Sequence, residues 1–272
     1  MWNKAKIFLE MIKFEHTIFA LPFAFMGALL GLAMVGARSA AMGLNRLIDK
    51  TIDKKNPRTK MRAIPAGLLS SKEVLLFIVI SFVLLFVAAA NLNSLSMKLL
   101  PIAVFMMVIY SYTKRFTWAC HIILGLTIAL APLGGWVAVT GKIDLVAILL
   151  YVSVAFWTAG FDVIYACQDA DYDRKEGLHS IPSAFGIGRA LMLARAFHVI
   201  TAVGLLSLLV MTDLSWWYFA GLLLSYIIMF YEHYIVKPND LSKLNTAFFT
   251  MNGVLSVVVF SFTCVDLLVH YL

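Results

Sequence analysis

The chain has 272 residues, of which 62% are hydrophobic and only 14% charged, and its mean hydropathy is +0.89. A soluble domain is nearer half apolar with about a quarter of its residues charged, so an ordinary soluble globular protein is excluded. The net charge of +7 would suggest nucleic acid in a soluble protein. In a membrane protein the excess of Lys and Arg belongs to cytoplasmic loops, and no nucleic-acid partner is expected.

The apolar residues fall in long runs, such as Val74 to Ala90 and Ile143 to Phe161. Runs of about 20 residues with few charges read as membrane-spanning helices. Lipid offers backbone groups no partner, so non-alternating runs must be helical. The reading is an all-α integral membrane protein, and 1–272 forms a single transmembrane domain without linker or low-complexity segment. The N-terminus is charged and amphipathic (Lys4, Lys6, Glu10, Lys13) with no small-residue cleavage site, so no cleavable signal is expected.

In chain order the helices are placed at 14–30, 31–47, 73–90, 98–112, 118–140, 144–165, 188–211, 214–235 and 247–270. The 33 residues from Phe14 to Arg46 are short for two crossings, which need more than about 40. Either two short, tilted helices meet near Gly31, or a stretch is absent. Basic loops follow the second, fourth, sixth and eighth helices, and nearly neutral ones lie between. This alternation places the N-terminus and the basic loops in the cytoplasm.

The acids are concentrated. Seven of the 15 fall within Asp49–Asp53 and Asp162–Glu176. Residues four apart share a helix face. Asn45, Asp49 and Asp53 therefore form one stripe of oxygen ligands, and Asp162, Tyr165, Asp169 and Asp173 form another. The N-x₃-D-x₃-D and Y-x₃-D-x₃-D patterns lie 120 residues apart, which hints at two related halves. Stacked carboxylates near lipid repel one another and need a cation. Hard oxygen ligands suit Mg²⁺ or Ca²⁺, and Mg²⁺ is commonly shared with phosphate oxygens. One such stripe is as readily a set of loop charges. Two on the same membrane side favour a site.

Arg58, Lys60 and Arg62 follow the first stripe, and Lys114 opens another loop on that side. Of these, Arg58, Lys114 and Arg62 are candidates for diphosphate oxygens. Lys50, Lys54, Lys55 and Lys72 read as positive-inside charge. Arg38 lies in an apolar stretch three helical turns before Asp49 and should face the bundle interior. It meets either a polar group of a substrate or an internal acid, Asp162 being one candidate.

Phe156, Trp157, Phe161, Tyr110 and Tyr112 could line a pocket for a cation, although membrane packing places aromatics similarly. Tyr110 and Tyr165 stand out because they lie beside the charged rim. Trp216, Trp217 and Tyr218 read as interfacial belt residues. His16, His121, His198, His233 and His270 show no ligand spacing. His179, in the acidic loop, is a weaker phosphate candidate. Cys120, Cys167 and Cys264 read as buried small hydrophobes.

The segments NRLIDKTIDKKNPRTKMRAIPAG (Asn45–Gly67) and DVIYACQDADYDRKEGLHSIPSAFG (Asp162–Gly186) resemble the two signatures of the UbiA-type intramembrane prenyltransferases, the 4-hydroxybenzoate polyprenyltransferase branch in particular. The resemblance implies nine transmembrane helices around a central cavity with cytoplasmic cap loops. It implies that Asn45, Asp49, Asp53, Asp169 and Asp173 hold Mg²⁺ and a prenyl diphosphate, with Arg58 and Lys114 on the diphosphate. Arg38, Tyr110, Asp162 and Tyr165 match positions near the aromatic acceptor and the reacting carbon. The implied reaction is prenyl transfer to an aromatic ring in quinone-type lipid biosynthesis, with the active site facing the cytoplasm from the cell membrane. The short N-terminal region departs from the family pattern. Alternatives are a sister enzyme acting on a hydroxynaphthoate, prenylglycerol phosphate, chlorophyllide or haem, and more distantly a transporter. A transporter would place its charges nearer mid-membrane.

Overall fold

A computed structural model describes residues 31–271. The expected helix at 14–30 lies outside them. Eight long helices form where the sequence placed the remaining eight. They are α1 (Gly31–Ile48), α3 (Ser71–Ala90), α4 (Ser94–Thr113), α5 (Cys120–Thr140), α6 (Leu145–Ala166), α9 (Ile187–Met211), α10 (Trp216–Ile235) and α11 (Asn252–Tyr271). Three short helices that hydropathy did not mark lie between them: α2 (Lys50–Lys55), α7 (Ala170–Lys175) and α8 (Ile181–Phe185). No β-strand occurs among the described residues, only an isolated bridge between Lys237 and Asp240. Among the described residues, six helices are long and apolar enough to cross a membrane. The chain is a multi-pass, all-α membrane protein.

Capping residues set the helix ends. Ser70 and Glu73 form a reciprocal capping box at the start of α3. Asn93 accepts from Ser96 N at 2.9 Å, so α4 begins four residues before the expected position, and its amide also donates to Val137 O of α5 at 2.7 Å. Asp144 caps α6 through Ala147 N. The start of α10 is capped from another helix: the buried Asp266 of α11 accepts from Ser215 N and Oγ and from Tyr218 N. Tyr218 is correspondingly 1% exposed, with its hydroxyl on Leu205 O. The belt assignment is therefore wrong for Tyr218, while Trp216 and Trp217 do lie on the surface.

The helix α6 is the hub. Two thirds of its most apolar window is buried (67%), against 11% for α4. It packs on α5 and α9. Gly125 permits the α5 approach, since a Cβ there would lie 2.1 Å from Ala155 O. The outer face of α3 (Leu75, Leu76, Val79, Ile80, Val83, Phe86) is exposed and apolar, as a lipid-facing surface requires. Cys167 is buried, Cys120 and Cys264 partly so, and all three are free.

Both acidic motifs share one local architecture. In each, a long helix gives way at an aspartate, Asp49 or Asp169, with φ near −90° to −99° and ψ near 0° to 2°, followed by a six-residue helix. In the second, a 3₁₀ turn, Cys167–Asp169, lies between. The two segments are clasped where Tyr172 donates to Ile52 O at 2.9 Å.

Candidate active site

A cavity of about 270 Å³ opens beneath these paired segments, and both acid stripes line it together with Arg38, Arg58, Arg62, Tyr110 and Lys114, while His179 does not. The helix ends bring Asn45, Asp49 and Asp53 to one wall and Asp162, Tyr165, Asp169 and Asp173 to the facing one. Arg58 and Arg62 come from the loop after α2. Arg38 and Tyr110 lie on α1 and α4, and Lys114 ends α4. Phe156 is not part of the lining and packs on Phe197 instead. Tyr112 is exposed beneath Arg115. Trp157 and Phe161 do line the cavity. His179 is exposed, and its backbone N–H donates to Lys114 O.

The charges pair across the cavity. Asp49, 1% exposed, meets Lys114 Nζ at 2.6 Å and Arg115 at 3.2 Å. Asn45 donates to Asp49 Oδ2, the oxygen that Lys114 also meets, at 3.1 Å. Burial pushes the Asp49 carboxyl above its ordinary value, against the pull of Lys114 and with a further push from Asp53. Arg62 meets Asp53 Oδ1 at 2.6 Å. Arg58 grips both oxygens of Asp169 and donates to Tyr165 Oη at 3.2 Å. Burial pulls the Arg58 guanidinium down, but Asp169 outweighs it and holds the group above its ordinary value.

Asp162 does not pair with Arg38. It meets His121 Nδ1 at 2.7 Å. The Nε of Arg38 is buried without a hydrogen-bond partner among the described residues.

Spacing did not reveal several further residues in or beside the cavity. His121 has its partner 41 residues away on α6. Arg115, adjacent to Lys114, holds Ile48 O as well as Asp49. Asn56 donates to Asp169 at 3.1 Å. Phe248 sits on a π-helical turn, Thr246–Met251, and stacks on Tyr165 with centroids 4.0 Å apart. Asn252 Nδ2 props that turn by bonding Ala247 O, Phe248 O and Glu232. Such π-turns are rare and cluster at functional sites.

Among the described residues no three His, Cys, Asp or Glu side chains converge as a ready-made metal site. The donor set nonetheless fits a hard divalent cation. It consists of amide and carboxylate oxygens on facing segments, and Asp53 Oδ2 is buried without a hydrogen-bond partner. A second cavity of about 180 Å³ lies between α1, α3, α4 and α5, lined mainly by apolar and small residues. Arg38 and Ile128 line both cavities.

Residues 17–254 match the model of the UbiA prenyltransferase family. The chain is 32% identical over 223 residues to the 4-hydroxybenzoate octaprenyltransferase of Vibrio atlanticus, covering 82% of this chain and 78% of that one. Its fold superimposes on the apo structure of a UbiA homolog from Aeropyrum pernix K1 with a TM-score of 0.85, at 29% identity and covering 93% and 98% of the two chains. A UbiA homolog from Archaeoglobus fulgidus, solved with GPP and Mg²⁺, shares the fold at a TM-score of 0.74 and 21% identity, covering 96% and 99%. Two acidic segments facing across one cavity in an α-helical membrane bundle define an intramembrane prenyltransferase. The chain belongs to the UbiA prenyltransferase family.

Proposed function

We propose that the protein transfers a prenyl group from a prenyl diphosphate to the ring of a 4-hydroxybenzoate-like acceptor. The observation that carries this reading is a cavity with an acidic and basic rim that adjoins an apolar chamber, Arg38 and Ile128 lining both. The relatives add support: one is a 4-hydroxybenzoate octaprenyltransferase, and a fold neighbour holds GPP with Mg²⁺. In this reading the chain is one nine-helix domain, its first helix within 14–30, and the rim faces the cytoplasm where the basic loops gather.

Asn45, Asp49, Asp53, Asp169 and Asp173 would hold Mg²⁺, which when bound supplies positive charge to the diphosphate leaving group. Arg58, Arg62 and Lys114, which hold Asp169, Asp53 and Asp49 in the structure, would hold phosphate oxygens of the donor once those carboxylates were engaged by the cation. The prenyl chain runs into the apolar chamber. As the donor C–O bond breaks, the electron pair leaves with the diphosphate. Tyr165, Trp157 and Phe161 present aromatic faces to the allylic cation, and the apolar lining of Leu124, Ile128 and Val154 disfavours water that would quench it. Tyr110, whose hydroxyl donates to Ala41 O at 2.9 Å, shapes the wall beside the reacting carbon. Arg38, whose Nε is unpartnered among the described residues, receives the acceptor carboxylate, and Asp162 lies on the acceptor side. The ring carbon ortho to the hydroxyl attacks, and its proton passes to the released diphosphate, which restores aromaticity.

The test is an acceptor panel with purified protein, a prenyl diphosphate and Mg²⁺, read by mass spectrometry. A 3-prenyl-4-hydroxybenzoate is the expected product. Transfer only to a dihydroxynaphthoate or a prenylglycerol phosphate would overturn the acceptor assignment.

A further inference from the structure

His121 is a buried, titratable group in the cavity that the mechanism above leaves without a task. It opens the first turn of α5 and is 4% exposed. Its ring is held at one nitrogen, where Nδ1 lies 2.7 Å from Asp162 Oδ2. The other nitrogen, Nε2, is buried and has no hydrogen-bond partner among the described residues. A buried polar atom left unpaired is costly, and where one persists in a cavity wall a ligand that pairs it is favoured. The same cavity is lined by Arg38, whose Nε is also buried and unpartnered. The two orphaned groups have different chemistry. A guanidinium suits a carboxylate. An imidazole nitrogen with a carboxylate behind it suits a hydroxyl or phenolate oxygen. A para-hydroxy aromatic acid carries one of each, at opposite ends of a rigid ring.

We propose that Nε2 of His121 hydrogen-bonds the phenolic oxygen of the acceptor, and that Asp162 is the positioning residue that fixes the imidazole for this contact. The proposal rests on the aromatic-acceptor reading above and deepens it. It assigns acceptor selection to a residue outside both acidic motifs. It also gives Asp162 an indirect role, acting through His121 instead of touching the ring. A site built to bind a hydroxyl rejects the analogue that lacks it, because its own polar group is then left unpaired.

The experiment measures binding of 4-hydroxybenzoate and of benzoate to the purified full-length protein by isothermal titration calorimetry. Wild type, His121→Asn and Asp162→Asn are compared. Asparagine at 121 keeps an N–H for Asp162 but has nothing at the Nε2 position. Wild type is expected to prefer 4-hydroxybenzoate by about tenfold or more. His121→Asn should lose that preference while benzoate affinity stays within about threefold. Asp162→Asn should weaken the preference with donor affinity unchanged.

A wild type that binds both acids equally overturns the proposal without needing any variant to fold. So does a folded His121→Asn that keeps the full preference. If wild type binds neither acid, the acceptor reading under the proposed function fails and takes this proposal with it.

Discussion

Arg58 grips Asp169 across 111 residues of sequence: Nε donates to Oδ1 at 2.9 Å and a terminal nitrogen to Oδ2. The same guanidinium lies over the Tyr165 ring, 5.3 Å from its centroid. The fork needs a planar guanidinium, so Arg58→Lys should not substitute for Arg58. We expect kcat to fall by about 10²-fold or more in Arg58→Ala, with little recovery in Arg58→Lys. Steady-state kinetics over a range of donor concentrations check this, and near-normal turnover in the lysine variant would refute the forked role.

Asp49→Asn should separate activity from stability. Burial holds the Asp49 carboxyl above its ordinary value, whereas in the unfolded chain it titrates near about 3.9. A carboxyl raised on folding binds more protons folded than unfolded, so it costs stability above the unfolded value and nothing below it. With metal removed by EDTA, Asp49→Asn should unfold at or above the wild-type temperature at pH 7. The difference should shrink as the pH falls towards 4. Turnover should be lost. Thermal unfolding at several pH values reads the first part, and a variant that turned over normally would remove Asp49 from the metal set.

Phe248 reaches Tyr165 only because the chain between Thr246 and Met251 winds as a π-turn. Removing the ring in Phe248→Ala should lower kcat by about tenfold, because Tyr165 loses the partner on one face. Phe248→Tyr should keep most of the activity, since it keeps the stack. The kinetic comparison of the two variants, with donor KM measured alongside, checks this, and normal turnover in Phe248→Ala would refute a role for the stack.

Asp266 lines neither cavity and caps the start of α10. Asp266→Ala removes the acceptor for Ser215 N and Tyr218 N, which should cost about 1–2 kcal/mol. A lower unfolding temperature with unchanged KM values is the expected signature in a detergent-solubilised melt and a kinetic assay.

The helices were legible because lipid forces apolar runs of this length into one conformation. The acid stripes were legible because a four-residue spacing on a helix places side chains on one face. Both signals are local. His121 was not legible, because its meaning comes from Asp162 on another helix, and in sequence it is one of several isolated histidines. Tyr218 was misplaced at the interface for a similar reason: its neighbours Trp216 and Trp217 do face outward, while Asp266 and Leu205 draw it inward. Phe248 depends on a π-turn held open by Asn252 and Glu232, and hydropathy carries no trace of it. The rim helices α2, α7 and α8 are too short for periodicity to register. The pairing of Arg58 and Asp169 follows from bringing the two motifs face to face, which tertiary packing alone accomplishes.

The most direct measurement of the central claim is label transfer by the purified protein from radiolabelled geranylgeranyl diphosphate to 4-hydroxybenzoate, with and without Mg²⁺, and with EDTA as control. The account predicts labelled prenyl-aromatic acid that appears only with the metal and disappears in Asp49→Asn. Folded wild-type protein that neither transfers the label nor releases diphosphate under these conditions would contradict it.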